Sequence, residues 1–173
     1  MDTPPETLAT DVPLGMFSIQ AIVAERIDAV QEEIGRIIVS DFGMIKEVNE
    51  CLLSMKGKLF RPTLVLLANE VGQKPSEDAV TLAALVELVH LATLVHDDAV
   101  DHSVLRRGLP TVNALWTHQV AVIMGDYLYS RSVSELVRMK KYLALSVLAD
   151  AANQMSIGEM RQLTSVDALE FSE

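Results

Sequence analysis

Cysteine is nearly absent from this sequence: Cys51 stands alone in 173 residues. No intrachain disulfide can form, which excludes a small disulfide-stapled fold. Positive charge is also scarce, with 14 Lys and Arg against 24 Asp and Glu and a formal net charge of −10. That balance, with only 5% aromatic residues, argues against an extended nucleic-acid surface but leaves room for a local phosphate site. Helix breakers are missing over two long stretches, residues 76–107 and 126–157, which contain neither glycine nor proline. There is no sustained two-residue alternation and no Asn-Gly or Asp-Gly pair, so strand signals are weak. Half the residues are apolar, too many for a disordered chain.

What remains is an all-α domain of about six helices, a helical bundle. The opening residues are acidic and proline-containing, the reverse of a basic, apolar leader. Residues 1–17 therefore read as a flexible segment, 18–173 as one helical domain, and the expected compartment is the cytoplasm. The stretch Ala79 to Val95 is unusually apolar, yet Glu87 and His90 interrupt it and Asp97 and Asp98 end it. A buried core helix is expected there rather than a membrane span.

Helical periodicity places a first helix over about 18–40 and a second over about 43–55. Pro62 suits the first turn of a third, which Gly72 stops. Ser76 can cap a fourth, apolar nearly all round to Leu94. Further helices are expected over about 112–131, and from Ser134 or somewhat later to about Leu163.

The chemistry concentrates at the end of the fourth helix. At about 100° per residue, Asp97 and Asp101 lie within about 40° of each other, and His90 falls between them in angle. Two carboxylates on one stripe of an apolar helix repel unless something positive lies between them. Mg²⁺ meets that need, taking one or two carboxylates and completing its shell with water and phosphate oxygens. Arg106-Arg107-Gly108 follow closely, and guanidinium groups grip phosphate oxygens in bidentate fashion. The alternative is a solvated helix end whose acids face water or pair with the two arginines. Upstream, Lys58 and Arg61 flank the start of the helix primed by Pro62, where cations and free amides together suit an anion.

Taken in order, these groups resemble the trans-isoprenyl (all-E polyprenyl) diphosphate synthases. The match runs through Gly57-Lys58-x-x-Arg61-Pro62, His90, His96-Asp97-Asp98-x-x-Asp101, Arg106-Arg107-Gly108-x-Pro110, Gly125-Asp126-Tyr127-Leu128 and Gly158-Glu159-x-x-Gln162-Leu163. The resemblance implies the N-terminal half of the isoprenoid synthase fold and a Mg²⁺-dependent prenyltransferase that condenses isopentenyl diphosphate with an allylic prenyl diphosphate. It assigns Asp97 and Asp101 to the metal, with Asp98 supporting them and Arg106 contacting the allylic diphosphate. Lys58, Arg61, His90 and Arg107 would hold isopentenyl diphosphate, and Gln162 would lie near the allylic site. In such enzymes the metal and the cations stabilise departing pyrophosphate, the allylic cation alkylates the second substrate and a proton is lost. Family analogy also implies a homodimer, while the acidic balance and the interrupted apolar stretch lead to the expectation of no nucleic-acid partner and no membrane span, despite a lipid product.

Under the same resemblance, Thr93 and Ala92, four and five residues before Asp97, with Val89 a turn deeper, line the growing chain. None is bulky, so a medium or long product is expected, and Phe at Ala92 is expected to shorten it. Family members are about twice this length, and no second Asp-Asp-x-x-Asp occurs here. The expectation is thus a truncated chain that turns over little alone; the alternative is a non-catalytic or regulatory subunit of a heteromeric prenyl synthase. A ferritin-like di-iron bundle would use Glu87-x-x-His90, but no second Glu-x-x-His exists to complete it.

Overall fold

The computed structural model describes residues 15–55, 57–71 and 76–169. The opening segment to residue 14 and the predicted stop at Gly72 lie outside the described residues. The fold is all-α, as the breaker-free stretches predict. The helices are α1 Met16–Gln20, continued by a single 3-10 turn Ala21–Val23, then α2 Ala24–Ile37, α3 Gly43–Ser54, α4 Phe60–Val71, α5 Ala79–Val100, α6 Val112–Leu115, α7 His118–Arg138 and α8 Tyr142–Leu169. The chain divides into two compact units, Met1–Arg36 with Leu53–Glu87, and Ile37–Leu52 with Leu88–Glu173.

In the first unit the core is built from Val23, Val30, Ile34, Leu66, Ala79, Ala83, Ala84 and Leu85. Polar ties link its helices: Thr81 donates to Glu33 at 2.7 Å, and Arg26 pairs with Glu70. Ahead of α5, the Ser76 hydroxyl accepts from the Asp78 amide at 3.2 Å, closing a turn that leads into the helix.

The second unit packs Ile37, Ile38, Val48, Leu52, Leu88, Ala92, Val95, Ala99, Met124 and Leu128. Its organising feature is the C-terminus of α2, whose last carbonyls have no partner within the helix. Arg131 donates to the Ile37 carbonyl at 2.6 Å, Asn49 to that of Ile38 at 2.7 Å, and the Tyr127 hydroxyl lies 3.0 Å from Ile38 O and 3.2 Å from Val39 O. Side chains from α3 and α7 thus satisfy the carbonyls of Ile37, Ile38 and Val39.

Two predicted helices are divided differently. The helix expected over 112–131 breaks at Trp116–Thr117, because Thr117 caps α7 by accepting from the Val120 amide. α7 then runs on to Arg138, past the expected start of the last helix. It stops in a Schellman motif: Lys140 N bonds Val137 O and Lys141 N bonds Leu136 O, both at 2.9 Å, with Lys140 at φ 58°. Glycine normally occupies that left-handed position, so a lysine there hides the stop from sequence reading. Lys140→Gly relieves the backbone strain and is expected to stabilise by roughly 0.5–1 kcal/mol, a rise of about 2 °C in Tm. A lower Tm in thermal denaturation would contradict this account of the stop.

By length and composition α5 could cross a bilayer. It serves as a core helix here, contributing Ala79, Ala83, Ala84 and Leu85 to the first unit and Leu88, Ala92, Val95 and Ala99 to the second.

Candidate diphosphate and metal site

The last turns of α5 carry the acidic residues. Asp101 N bonds Asp97 O at 2.8 Å, so these two residues are one helical turn apart, and both are exposed. The helix ends in a second Schellman motif, with His102 at φ 51°, Ser103 N bonding Asp98 O at 2.9 Å and His102 N bonding Ala99 O at 3.3 Å. A tight hairpin follows, Leu105–Arg106 (β1) pairing antiparallel with Leu109–Pro110 (β2). Arg107 and Gly108 form its turn, both at positive φ (53° and 80°), which is the type I′ geometry that suits a two-residue loop. Sequence reading missed this hairpin, since only its glycine signals such a turn. Thr111 anchors the base: its hydroxyl donates to Ser103 O at 2.7 Å and caps α6 by accepting from the Ala114 amide.

The hairpin is tied to α5 by one bidentate ion pair. Arg106 Nε lies 2.8 Å and 3.0 Å from the two Asp98 carboxylate oxygens, and its Nη2 lies 2.8 Å from Oδ1. The Asp98 side chain is 9% exposed and that of Arg106 33%. The salt-bridge alternative is therefore realised for this pair. Asp98 is committed to Arg106, while Asp97 and Asp101 are left as the exposed acids of the stripe.

Asp97 lies in an unfavourable field. Partial burial of its carboxyl is the main cause that raises its pKa; Asp101 and Asp98 add to it, while Arg106 and His96 oppose it. Its ionised form is thus disfavoured in the folded chain, chiefly by burial, and a bound cation would offset that. Among the described residues no three His, Cys, Asp or Glu side chains converge as a ready-made cage. Two exposed carboxylates without a full cage match the donor set of Mg²⁺, which retains waters and takes oxygens from its ligand. Asp97 and Asp101 therefore fit the ion.

Of the other expected site residues, His90 is half-buried on α5 within the second unit, and Arg107 is exposed at the hairpin turn of that unit. Gln162 is exposed on α8, also in the second unit. Lys58 and Arg61 belong to the first unit, where both are exposed around the start of α4. That helix start is held by Gln20, whose amide donates to Lys58 O at 2.7 Å and to Thr63 Oγ1 at 3.1 Å, with Leu59 between them at φ 48°. On α5, Thr93 lies one turn before Asp97, half-buried, with its hydroxyl donating to His90 O at 2.8 Å. Val89 is half-buried a turn further back. Ala92 is buried, and at about 100° per residue it lies about 140° around the axis from Asp97.

One participant was not assigned from sequence. His96 Nε2 lies 3.1 Å from Val122 O and 3.3 Å from Asp126 Oδ1 on α7. Gly125 sits beneath this ring, where a Cβ would collide with the imidazole. The sequence signal was present in the Gly125-Asp126 pair and in the histidine beside Asp97, but nothing in it brings the two together.

The site is thus an acidic helix end beside a clamped arginine hairpin in an all-α chain. The Polyprenyl synthetase family model matches residues 43–173, and the chain belongs to that family. It is 37% identical over 146 residues to heptaprenyl diphosphate synthase component 2 of Geobacillus stearothermophilus, covering 84% of this chain and 46% of that protein. A decaprenyl diphosphate synthase from Rhodobacter capsulatus superposes with a TM-score of 0.82 at 37% identity, over 87% of this chain and 46% of that one. A polyprenyl synthase from Caulobacter crescentus, solved in complex with calcium and isoprenyl diphosphate, gives 0.81 at 32% identity, over 86% and 45%. The chain spans about half the length of these relatives.

Proposed function

We propose that this chain supplies the metal- and diphosphate-binding part of a prenyl diphosphate synthase, a transferase that extends an allylic diphosphate with isopentenyl diphosphate. The exposed Asp97–Asp101 pair on one turn of α5 carries the reading. These two carboxylates would hold Mg²⁺, which would supply charge neutralisation for the diphosphate leaving group. Asp98 holds Arg106 by its carboxylate and so fixes the hairpin beside the acids. Arg106 pairs with Asp98 through Nε and Nη2 and directs Nη1 to the allylic diphosphate. Arg107, exposed at the turn, and His90, Lys58 and Arg61 serve isopentenyl diphosphate, and Gln162 serves the allylic site. Support for the pairing of metal and substrate comes from the Caulobacter relative, solved with a divalent cation and isoprenyl diphosphate.

The complete protein, on this reading, is a cytoplasmic homodimer making a medium or long polyprenyl chain. An alternative role, as a subunit of a heteromeric synthase, is favoured by one observation: the Geobacillus relative is described as a component of its enzyme. An assay with Mg²⁺, labelled isopentenyl diphosphate and an allylic primer tests the reading. Magnesium-dependent incorporation supports it, and none in the presence of the rest of the protein contradicts it.

Product length gives a sharper test. Thr93 shares a face with Asp97, whereas Ala92 is buried about 140° away by helical geometry. Thr93→Phe in the catalytically complete protein is therefore expected to shorten the product by one or more isoprene units. Ala92→Phe is expected chiefly to overpack the second unit, costing about 1–3 kcal/mol. Equal product lengths for wild type and Thr93→Phe would contradict the placement of the growing chain.

A further inference from the structure

We propose that His96, held by Val122 and Asp126 on α7, is the positioning residue that sets the acidic stripe of α5 for its metal. The inference rests on the metal-diphosphate reading above. Three observations converge on one short stretch of helix. The ring nitrogen Nε2 lies within reach of both a backbone carbonyl and a carboxylate on α7, at 3.1 Å and 3.3 Å. Gly125 gives the ring its room, because any Cβ there would overlap it. Beyond the acids, the His102 ring meets that of His118, the first residue of α7, with centroids 5.6 Å apart. The acidic turn from Asp97 to Asp101 is thus bracketed by two histidine contacts to one neighbouring helix.

Repulsion between carboxylates one turn apart tends to splay or unwind a helix end. The end of α5 is also where intrahelical hydrogen bonds run out. A contact at His96 and a second at His102 restrain that turn before any cation arrives. Partners behind metal ligands commonly govern affinity by about 10- to 100-fold, because they hold the ligands in place. His96 is adjacent in sequence to Asp97, so a rotation of its ring anchor moves the first ligand directly. Neither His96 nor Asp126 need touch the substrate for this.

The test compares His96→Ala, His96→Gln and Gly125→Ala in the chain as it stands. Gln retains an N–H near the Nε2 position and so can still donate to Val122 O. Amide hydrogen exchange of the metal-free protein is read at Asp97 to Ser103, and Mg²⁺ with inorganic pyrophosphate is titrated calorimetrically. Exchange of that segment is expected to speed up at least about 10-fold in His96→Ala and in Gly125→Ala, and to return towards wild type in His96→Gln. Pyrophosphate affinity in Mg²⁺ is expected to fall about 10-fold or more in the first two variants, again with recovery in Gln. Unchanged exchange in His96→Ala, or Gln behaving no better than Ala, would overturn the positioning role. If the exchange results hold but wild type itself binds no pyrophosphate in Mg²⁺, the metal-diphosphate reading fails, and with it His96's role toward a metal.

Discussion

Arg106→Ala is expected to lower the melting temperature by about 6–12 °C. The Asp98 side chain is 9% exposed and, among the described residues, its side-chain partner is Arg106, which contacts both of its oxygens. Removing one member of such a pair leaves a buried charge without compensation, at a cost of about 3–5 kcal/mol. The guanidinium is 33% exposed, so the lower end, about 3 kcal/mol, applies. For a chain of this size each kcal/mol shifts Tm by about 2–4 °C. Arg106→Lys, which keeps the charge but not the two-pronged geometry, should lose roughly half as much. Replacing both partners, Asp98→Ala with Arg106→Ala, should recover part of the loss, since no charge is then stranded. A shift under about 1 °C for Arg106→Ala would show that the ion pair is not what holds the hairpin to α5.

Asp97→Asn is expected to act in opposite directions on stability and on binding. The folded environment raises the pKa of Asp97, so its ionised form is disfavoured relative to the unfolded chain. Between the ordinary carboxylate range and the raised value, the folded state holds more proton than the unfolded one. Stability from this group is present in full at acid pH and is lost as pH rises through the folded pKa. The neutral amide escapes that loss. The metal-free variant should therefore melt higher than wild type at pH 7, with the difference closing as pH falls to about 4. Its affinity for pyrophosphate in Mg²⁺ should fall by at least about 100-fold, beyond what loss of an outer partner produces. A residue whose removal stabilises the empty protein yet abolishes ligand binding is held in place for function. A variant that melts lower at neutral pH would contradict the account of its electrostatics.

The acidic stripe was legible in the sequence because helical periodicity alone puts Asp97, Asp101 and His90 on one face. The breaker-free runs likewise revealed the all-α architecture. What escaped was set by contacts distant in sequence or by backbone states that the residue type does not announce. Lys140 and His102 terminate helices in a conformation usually reserved for glycine. Arg107 takes a left-handed turn position to close a hairpin that no Asn-Gly pair signals. The pairing of Asp98 with Arg106 was visible as one of two options, and only their geometry decides for it. The close approach at Gly125 depends on a histidine 29 positions earlier, which no local pattern encodes.

The central claim is that Asp97 and Asp101 make a divalent-cation site for a diphosphate. Calorimetric titration of the wild-type chain with inorganic pyrophosphate, with and without Mg²⁺, tests it most directly. The expected result is binding that appears only with Mg²⁺ and disappears in Asp101→Ala. Equal binding with and without the metal, or binding undiminished in Asp101→Ala, would contradict it.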